Sequence, residues 1–491
     1  MEQHLAGLRN KLSCYVTKFN IQDTELYPQL LPNDKALGYL MEHIPLLDCP
    51  DKELEEIYYF RWWTFRKHWK QTEKGHILSE FLPQVPWSGP YNSINCSACL
   101  HIREGRWLRD PEGWLREYID FWLKGCGNTH AYSAWYPAAL WEYCMLQGDF
   151  SYGIQHLPGM IEFYTRRERE HRHSSGLYWS IDNWDGMEYA ISGTGLRPTI
   201  NSYAWADARA IGSFAAMAGD DVTAQQYFDK AAALKSCIEK YLWDGDFYKT
   251  IPAENPQAVA QWECPPERNV RELIGYIPWY FGLPDPGKAE TFCWLLRKDG
   301  FAAPAGLTTA EQSHPRFMEP HDHECLWNGP VWPFATSQTL VAAANMLRSG
   351  SRSKFTKEDY YSLLLQYARS HHRTDEQGNR IPWIDENMDP YTGRWLSRDI
   401  LESWGWRSEK GGYERGKDYN HSLFCDLVLD GLLGIGADAE GKLRVNPLIP
   451  KDWDHFWVEN VTVHGKCYRI VYDRDGSHYG TTPGLHYHEL I

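Results

Sequence analysis

Asp182-Asn183-Trp184-Asp185-Gly186-Met187-Glu188 and Asp385-Glu386-Asn387-Met388-Asp389-Pro390 are two acidic stretches in a chain with 24 tryptophans and 30 tyrosines among 491 residues. Separated carboxyl groups set among flat aromatic rings suit acid–base cleavage of a bond to a sugar. One carboxyl protonates the departing oxygen, a second activates water, and the rings stack on the apolar faces of the sugar. In the first stretch Asp182, Asp185 and Glu188 are spaced by three, and Gly186 with Ser192-Gly193-Thr194-Gly195 predicts a loop. Burial beside Tyr178, Trp179 and Trp184 would raise the pKa of a loop carboxyl, as a general acid requires. The same acids can also serve only as hydrogen-bond acceptors and helix caps. In the second stretch Pro390 keeps Asp389 out of a helix, and Tyr391-Thr392-Gly393 closes a turn. Glu386 is placed there to stay ionised and polarise a water; an ordinary Asp- and Asn-rich turn is the bland alternative.

Between the two stretches runs His321-Asp322-His323-Glu324-Cys325-Leu326-Trp327-Asn328-Gly329-Pro330-Val331-Trp332-Pro333. His321 and His323 with Glu324 or Cys325 have the donor types of a metal site. Their spacing matches no strong zinc pattern, so neither a metal nor a cofactor is expected. Trp327 and Trp332 suit the wall of a sugar subsite. Arg197 precedes Pro198 and the helix that carries Asn201, where it can meet a substrate hydroxyl or carboxylate, or pair with an acid of the loop. The expected substrate-contacting set is Trp62, Trp63, Trp184, Glu188, Arg197, Asn201, His323, Trp327, Asn328, Trp332 and Trp404.

The elements that must position these groups read as helical hairpins. Apolar residues spaced by three and four predict one over 131–170 with a Gly148-Asp149 break, and a second over 199–243 with a Gly219-Asp220 break. A third runs from Val331 through a Gly/Ser break at 350–353 to Tyr367. Repeated hairpins separated by long aromatic loops predict a mainly α fold, a closed ring with its site in the loops. Leu443–Pro447, Trp457–Val463 and Tyr468–Tyr472 read as strands of a small C-terminal β appendage. The expected division is an N-terminal segment over 1–110 that contributes to ring and site, the ring over 111–440, and the appendage over 441–491.

Composition narrows the function classes. The chain is 43% hydrophobic and 23% charged, ordinary for a globular protein. A net charge of −15 without a basic block argues against a nucleic-acid partner. No apolar run of about 18 residues predicts a membrane span. Twelve cysteines at irregular spacing predict mostly buried thiols in a reducing compartment, and Cys96-Ser97-Ala98-Cys99 lacks a second pair. The start Met1-Glu2-Gln3-His4-Leu5-Ala6 has no signal-peptide pattern, so a cytoplasmic location is expected.

Trp327-Asn328-Gly329-Pro330-Val331-Trp332-Pro333 resembles the W-x-G-P-V-W-P segment of family 63 glycoside hydrolases and their trehalase-like relatives, the mannosylglycerate-hydrolase-like catalytic domains included. Glu386-Asn387-Met388-Asp389-Pro390-Tyr391-Thr392-Gly393 resembles their E-N-Y-N-P-x-T-G segment, whose Glu is the catalytic base. Residues 176–183, followed by Asn201-Ser202-Tyr203, resemble the acid-bearing loop and the helix after it. The likeness runs over residues 130–435 and implies an (α/α)6 barrel, inversion at the anomeric carbon and Glu386 as base. The usual acid loop reads E-S-G-x-D-x-x-x-R; here that Glu is missing and the Arg is displaced. Alignment on Gly176-Leu177 makes Asp182 the acid. Alignment on Trp184-Asp185 makes it Asp185, which is favoured because Trp184 and Gly186 restrict it most. The chain is also similar to uncharacterised helical-barrel hydrolases found with pectin- and plant-polysaccharide-degrading enzymes, which brings L-arabinosides and L-rhamnosides into view. The expectation is an inverting, exo-acting glycoside hydrolase for an oligosaccharide or glycoside. The rivals are a sugar epimerase or lyase using His321 or His323, and a carbohydrate-binding protein without catalysis.

Overall fold

The computed structural model describes residues 2–110, 112–438 and 440–490, so Met1, Pro111, Ala439 and Ile491 of the stretches named above lie outside the described residues. In chain order the α-helices are α1 Glu2–Gln22, α2 Asn33–His43, α3 Lys52–Phe65, α4 Asn95–Gly105, α5 Trp114–Leu123, α6 Tyr136–Gln147 and α7 Phe150–Gln155. There follow α8 Leu157–His171, α9 Pro198–Met217, α10 Asp221–Tyr241, α11 Ile277–Tyr280, α12 Pro333–Arg348, α13 Lys357–Ser370 and α14 Leu396–Ser403.

A helix that is apolar on most faces has little side to offer water and ends up inside. Five such segments, together with α4, whose polar side chains are buried as well, form an inner ring: α4, α6, α9, residues 273–280 ending in α11, α12, and the π-helical Leu427–Leu432. Each packs on the next from α4 round to 427–432. A carboxylate closes the circle. Glu104, at the end of α4, accepts the backbone N–H groups of Phe424, Cys425 and Asp426 at 3.0, 2.8 and 2.9 Å. Asp426 in turn accepts from Arg103 and Arg106, both at 2.7 Å, and from Trp107 Nε1 at 2.8 Å. The first N–H groups of a helix have no partner within it, and a carboxylate satisfies both their hydrogen bonds and the local dipole.

The outer layer consists of α5, α8, α10, the 3-10 stretch Ala289–Leu296, α13 and α3. The expected hairpins are thus α6/α8, α9/α10 and α12/α13. Their breaks at Gly148 and Gly219 have φ of 82° and 78°, and Asp149 and Asp220 cap the helices that follow. The last inner segment takes its outer partner from the other end of the chain: α3 packs on α13, and the Cys425 thiol donates to the Tyr58 carbonyl at 3.4 Å. The fold is an (α/α)6 ring with a small β appendage.

The appendage is a four-stranded antiparallel sheet ordered Leu46–Asp48, His455–Val463, Lys466–Asp473, Gly484–Leu490. Its first strand comes from the N-terminal region, with Leu46 opposite Glu459. The expected strand at 443–447 pairs instead with Ile435–Ala437 as a separate hairpin. No helix among the described residues is long and apolar enough to cross a membrane. All twelve cysteines are free, but only Cys49, Cys99, Cys144 and Cys425 are fully buried, fewer than the sequence suggested.

Glu104→Ala leaves three buried N–H groups without an acceptor. It should lower unfolding free energy by about 3–5 kcal/mol. An unchanged urea midpoint would remove Glu104 from ring closure.

Candidate active site

Arg197 sits just before α9, with its guanidinium wholly buried under the loop of residues 182–193. Its Nε and Nη2 donate to Asp185 at 2.8 and 3.3 Å, and its Nη1 donates to Asp182 at 3.2 Å and to the Gly193 carbonyl at 2.7 Å. Thr199 adds a 2.6 Å hydrogen bond to Asp185. The Asp185 side chain has 0% exposure. This corrects the sequence expectation for it: a carboxylate sealed by a guanidinium and a hydroxyl has no path to a leaving group. Asp182 is partly exposed; burial raises its pKa and Arg197 pulls it back. The loop then turns through Gly186 and Met187, and Glu188 emerges with its backbone carbonyl accepting the Trp327 N–H at 3.0 Å.

Trp327 stacks on Trp332, centroids 4.2 Å apart, and Trp332 Nε1 donates to the Leu326 carbonyl at 2.8 Å. Val331 and Met388 exchange both backbone hydrogen bonds at 2.9 Å, which joins this aromatic block to the Glu386 turn. Asn387 Nδ2 reinforces the junction on the Glu324 carbonyl at 3.0 Å. Asp389 accepts the N–H groups of Tyr391 and Thr392 at 3.0 and 2.8 Å, the turn expected around Pro390.

Glu188 and Glu386 line one cavity of about 250 Å³ together with Glu80, His323, Trp327 and Trp332. Glu386 is held on both oxygens: the Cys325 thiol donates to Oε1 at 2.9 Å and Arg415 Nη2 to Oε2 at 2.7 Å. Burial raises its pKa, while Arg415 and the thiol oppose that. Among the described residues Glu188 has no cation within ion-pair distance, and burial pushes it up to about 8. Glu80 is also pushed to about 8 by burial, although Tyr419 donates to it at 2.8 Å. The cations at the cavity are already engaged: Arg415 also reaches Glu324 at 3.1 Å, and Lys410 reaches Glu324 at 2.8 Å. Trp327 Nε1 and His421 Nδ1 are buried with no hydrogen-bond partner among the described residues.

Of the residues expected at the site, Glu386, Glu188, His323, Trp327 and Trp332 come together. Trp62 and Trp63 do not: both are buried on α3, where Trp63 packs on Phe19 and Phe60 with Lys67 over its ring. Trp184 stacks on His171 at 3.9 Å and donates to the His130 carbonyl. Asn201 is buried, bonding Tyr178 and the Arg197 carbonyl, and Asn328 donates to the Glu319 carbonyl. Arg197 binds the loop's own acids, and Trp404 lies beside Arg407 and Lys410, outside the cavity lining. Glu80, Tyr132, Arg415, Tyr419 and His421 were not anticipated at the site. The polar run Arg415-Gly416-Lys417-Asp418-Tyr419-Asn420-His421, dense for a segment about to enter the core, was the available signal. Among the described residues the group able to gather three metal-ligand atoms is Asp48, His455 and His478, on the β appendage; Asp48 already accepts from Lys52 and Tyr479 at 3.0 and 2.8 Å.

A family model described as a mannosylglycerate hydrolase MGH1-like glycoside hydrolase domain matches residues 90–422. Among solved structures, one named "Sialidase" superposes with a TM-score of 0.87 at 37% identity, over 98% of this chain and 43% of that one. An α-L-rhamnosidase of Streptomyces avermitilis complexed with L-rhamnose gives 0.54 at 10% identity, over 88% of this chain and 37% of that one. A GH78 family rhamnosidase of Bacillus sp. GL1 gives 0.52 at 14%, over 88% and 40%. The two rhamnosidases share the fold. This chain spans less than half the length of each of the three proteins.

Asp185→Asn keeps the shape but leaves Arg197 short of an anion in the interior. It should cost about 3 kcal/mol of stability. Lost turnover with an unchanged urea midpoint would return Asp185 to the chemistry.

Proposed function

The chain belongs to the family of MGH1-like glycoside hydrolase domains, and from that premise we propose that it removes a terminal, uncharged sugar with inversion, Glu188 acting as general acid and Glu386 as general base. The observation that carries the reading is the unequal surroundings of the two carboxyls in one cavity. Glu188, without a cation, holds its proton at neutral pH; Glu386, against Arg415, gives its proton up more readily. Two carboxyls pushed apart in this way divide the roles of acid and base. Glu188 protonates the glycosidic oxygen while Glu386 takes a proton from the water that attacks the anomeric carbon from the opposite face. That geometry calls for a separation of about 6.5–9.5 Å.

Exo action is supported by size. A cavity of about 250 Å³ is smaller than the roughly 300–1,000 Å³ typical of drug-sized ligands, and suits one sugar ring. The stacked Trp327 and Trp332 offer that ring an apolar wall, and the unpartnered Trp327 Nε1 and His421 Nδ1 are groups that sugar hydroxyls can engage. Charge argues for a neutral sugar. Arg415 and Lys410 are both bound to carboxylates, while Glu80 and Glu188 add acidic groups. The solved relative named for an acidic sugar extends well beyond the part matched here, so its name does not carry over.

Glu386→Gln should lose nearly all turnover with the fold intact. Glu188→Gln should lose about 10²–10⁴-fold on a poor leaving group and recover on an aryl glycoside with a good one. Recovery in Glu80→Gln instead would move the acid role to Glu80. The anomer first released, followed by NMR, should be inverted. Retention would overturn the water mechanism and direct attention to the Cys325 thiol beside Glu386.

The pH profile of kcat/KM follows from the same pair. Activity needs Glu188 protonated, so it should fall as pH rises through about 8. It needs Glu386 ionised, so it should fall on the acid side at a pH above the ordinary carboxylate range. A basic limb that stays in place in Glu188→Gln would show that another group sets it.

A further inference from the structure

A cleft larger than the cavity that holds Glu188 and Glu386 lies elsewhere on the molecule. It has a volume of about 980 Å³ and is lined by Arg369, Arg373, Arg380, Arg394 and Arg398, with Asp399 as its one acidic lining residue. Five guanidinium groups on one cleft stand out in a chain of net charge −15.

Most of them have protein partners. Glu53 accepts from Arg369 at 2.9 Å and from Arg380 at 2.5 Å, Asp399 pairs with Arg394 at 3.0 Å, and Glu414 pairs with Arg398. Arg373 has none. Its guanidinium lies 3.6 Å from the Trp383 ring centroid, and no carboxylate comes within ion-pair distance among the described residues. Among the described residues its Nε is buried without a hydrogen-bond partner, and so is Nη1 of Arg398, which stands 3.7 Å from Asp385 while Glu414 holds Nη2. Buried donors without acceptors are costly and uncommon. Two of them, both on planar guanidinium forks that match a carboxylate, lie on residues of the same cleft.

The rest of the lining is suited to sugars. Tyr391 presents a ring that is 55% exposed, and Thr374 and Thr392 supply hydroxyls. We propose that this cleft is a second carbohydrate site, for a uronic-acid-bearing oligosaccharide whose carboxylates pair with Arg373 and Arg398. The site stands apart from the hydrolytic cavity and does not depend on the roles of Glu188 and Glu386. The two do share one segment: Met388 and residues 391–394 line this cleft, while Glu386 lines the other.

The test is calorimetric titration of the intact protein with a trimer of galacturonic acid, with its methyl ester and with inorganic phosphate. The acid trimer should bind, more weakly as salt rises, and the ester should bind at least tenfold more weakly. Arg373→Gln should weaken the acid trimer by about tenfold with the urea midpoint unchanged; if that variant is unstable, Arg373→Lys, which keeps the charge and loses the planar fork, serves in its place. Equal binding of the ester would overturn the anionic specificity. Displacement of the trimer by phosphate at the trimer's own concentration would overturn the carbohydrate assignment. Unaltered affinity in a stable Arg373→Gln would exclude the cleft.

Discussion

The buried guanidinium of Arg197 fixes where the acid loop can go. A fully desolvated cation must gather carboxylates and carbonyls around it. Asp185, Asp182 and the Gly193 carbonyl all turn inward to meet it. With those three anchored, residues 186–192 loop between Asp185 and Gly193, and Gly186 and Glu188 of that loop line the cavity. The acids spaced by three therefore divide their work. Two hold the loop, and the third is left without a cation and projects into the cavity. A stretch so rich in carboxylates could not fold over the ring without Arg197, and Arg197 could not be buried without the stretch.

Burial then acts differently on the two cavity carboxyls. Removing water raises the pKa of each. At Glu386 the guanidinium of Arg415 and the Cys325 thiol oppose the shift; at Glu188 the other acids of the site add to it. Cys325 suits its position because a thiol is a weak donor. It satisfies Oε1 in the resting site and yields readily to a better donor such as water.

The helical ring was legible where hairpins are long and local. The pairs α6/α8, α9/α10 and α12/α13 follow from apolar periodicity and the Gly-Asp breaks at 148–149 and 219–220. The pair made by α3 and residues 427–432 was not legible, because its members lie at opposite ends of the chain and one is a short π-helix. The same distance hid the strand Leu46–Asp48, since three residues show no period. At the site, Glu386 and the Trp327–Trp332 wall could be read from motif and turn chemistry. Asp185 was misjudged because the restriction by Trp184 and Gly186 that drew attention to it belongs to a structural anchor. Trp62 and Trp63 show the limit of composition: a ring wide enough to need an inner and an outer layer uses tryptophan as filler as readily as it uses it for ligand contact. Glu80 gave no local signal, since what places it is packing between segments far apart in sequence, and Arg415 offered only the polar run it begins.

A site assembled from separate loops would be loose if each loop were held only by its own hairpin. Here the backbone joins them. Glu188 is tied to Trp327 by a carbonyl–amide hydrogen bond, Val331 to Met388 by a reciprocal pair, and Asn387 to Leu396 at 2.8 Å. The acid loop, the aromatic wall and the base turn therefore form one hydrogen-bonded unit resting on the inner ring. Side chains in that unit differ from the family pattern, but the backbone ladder does not depend on them. A change of substrate can then be accommodated by altering what lines the cavity, as at Glu80, Cys325 and Tyr419, while the relative placement of the two carboxyls is kept by main-chain bonds that survive any change of side chain other than to proline.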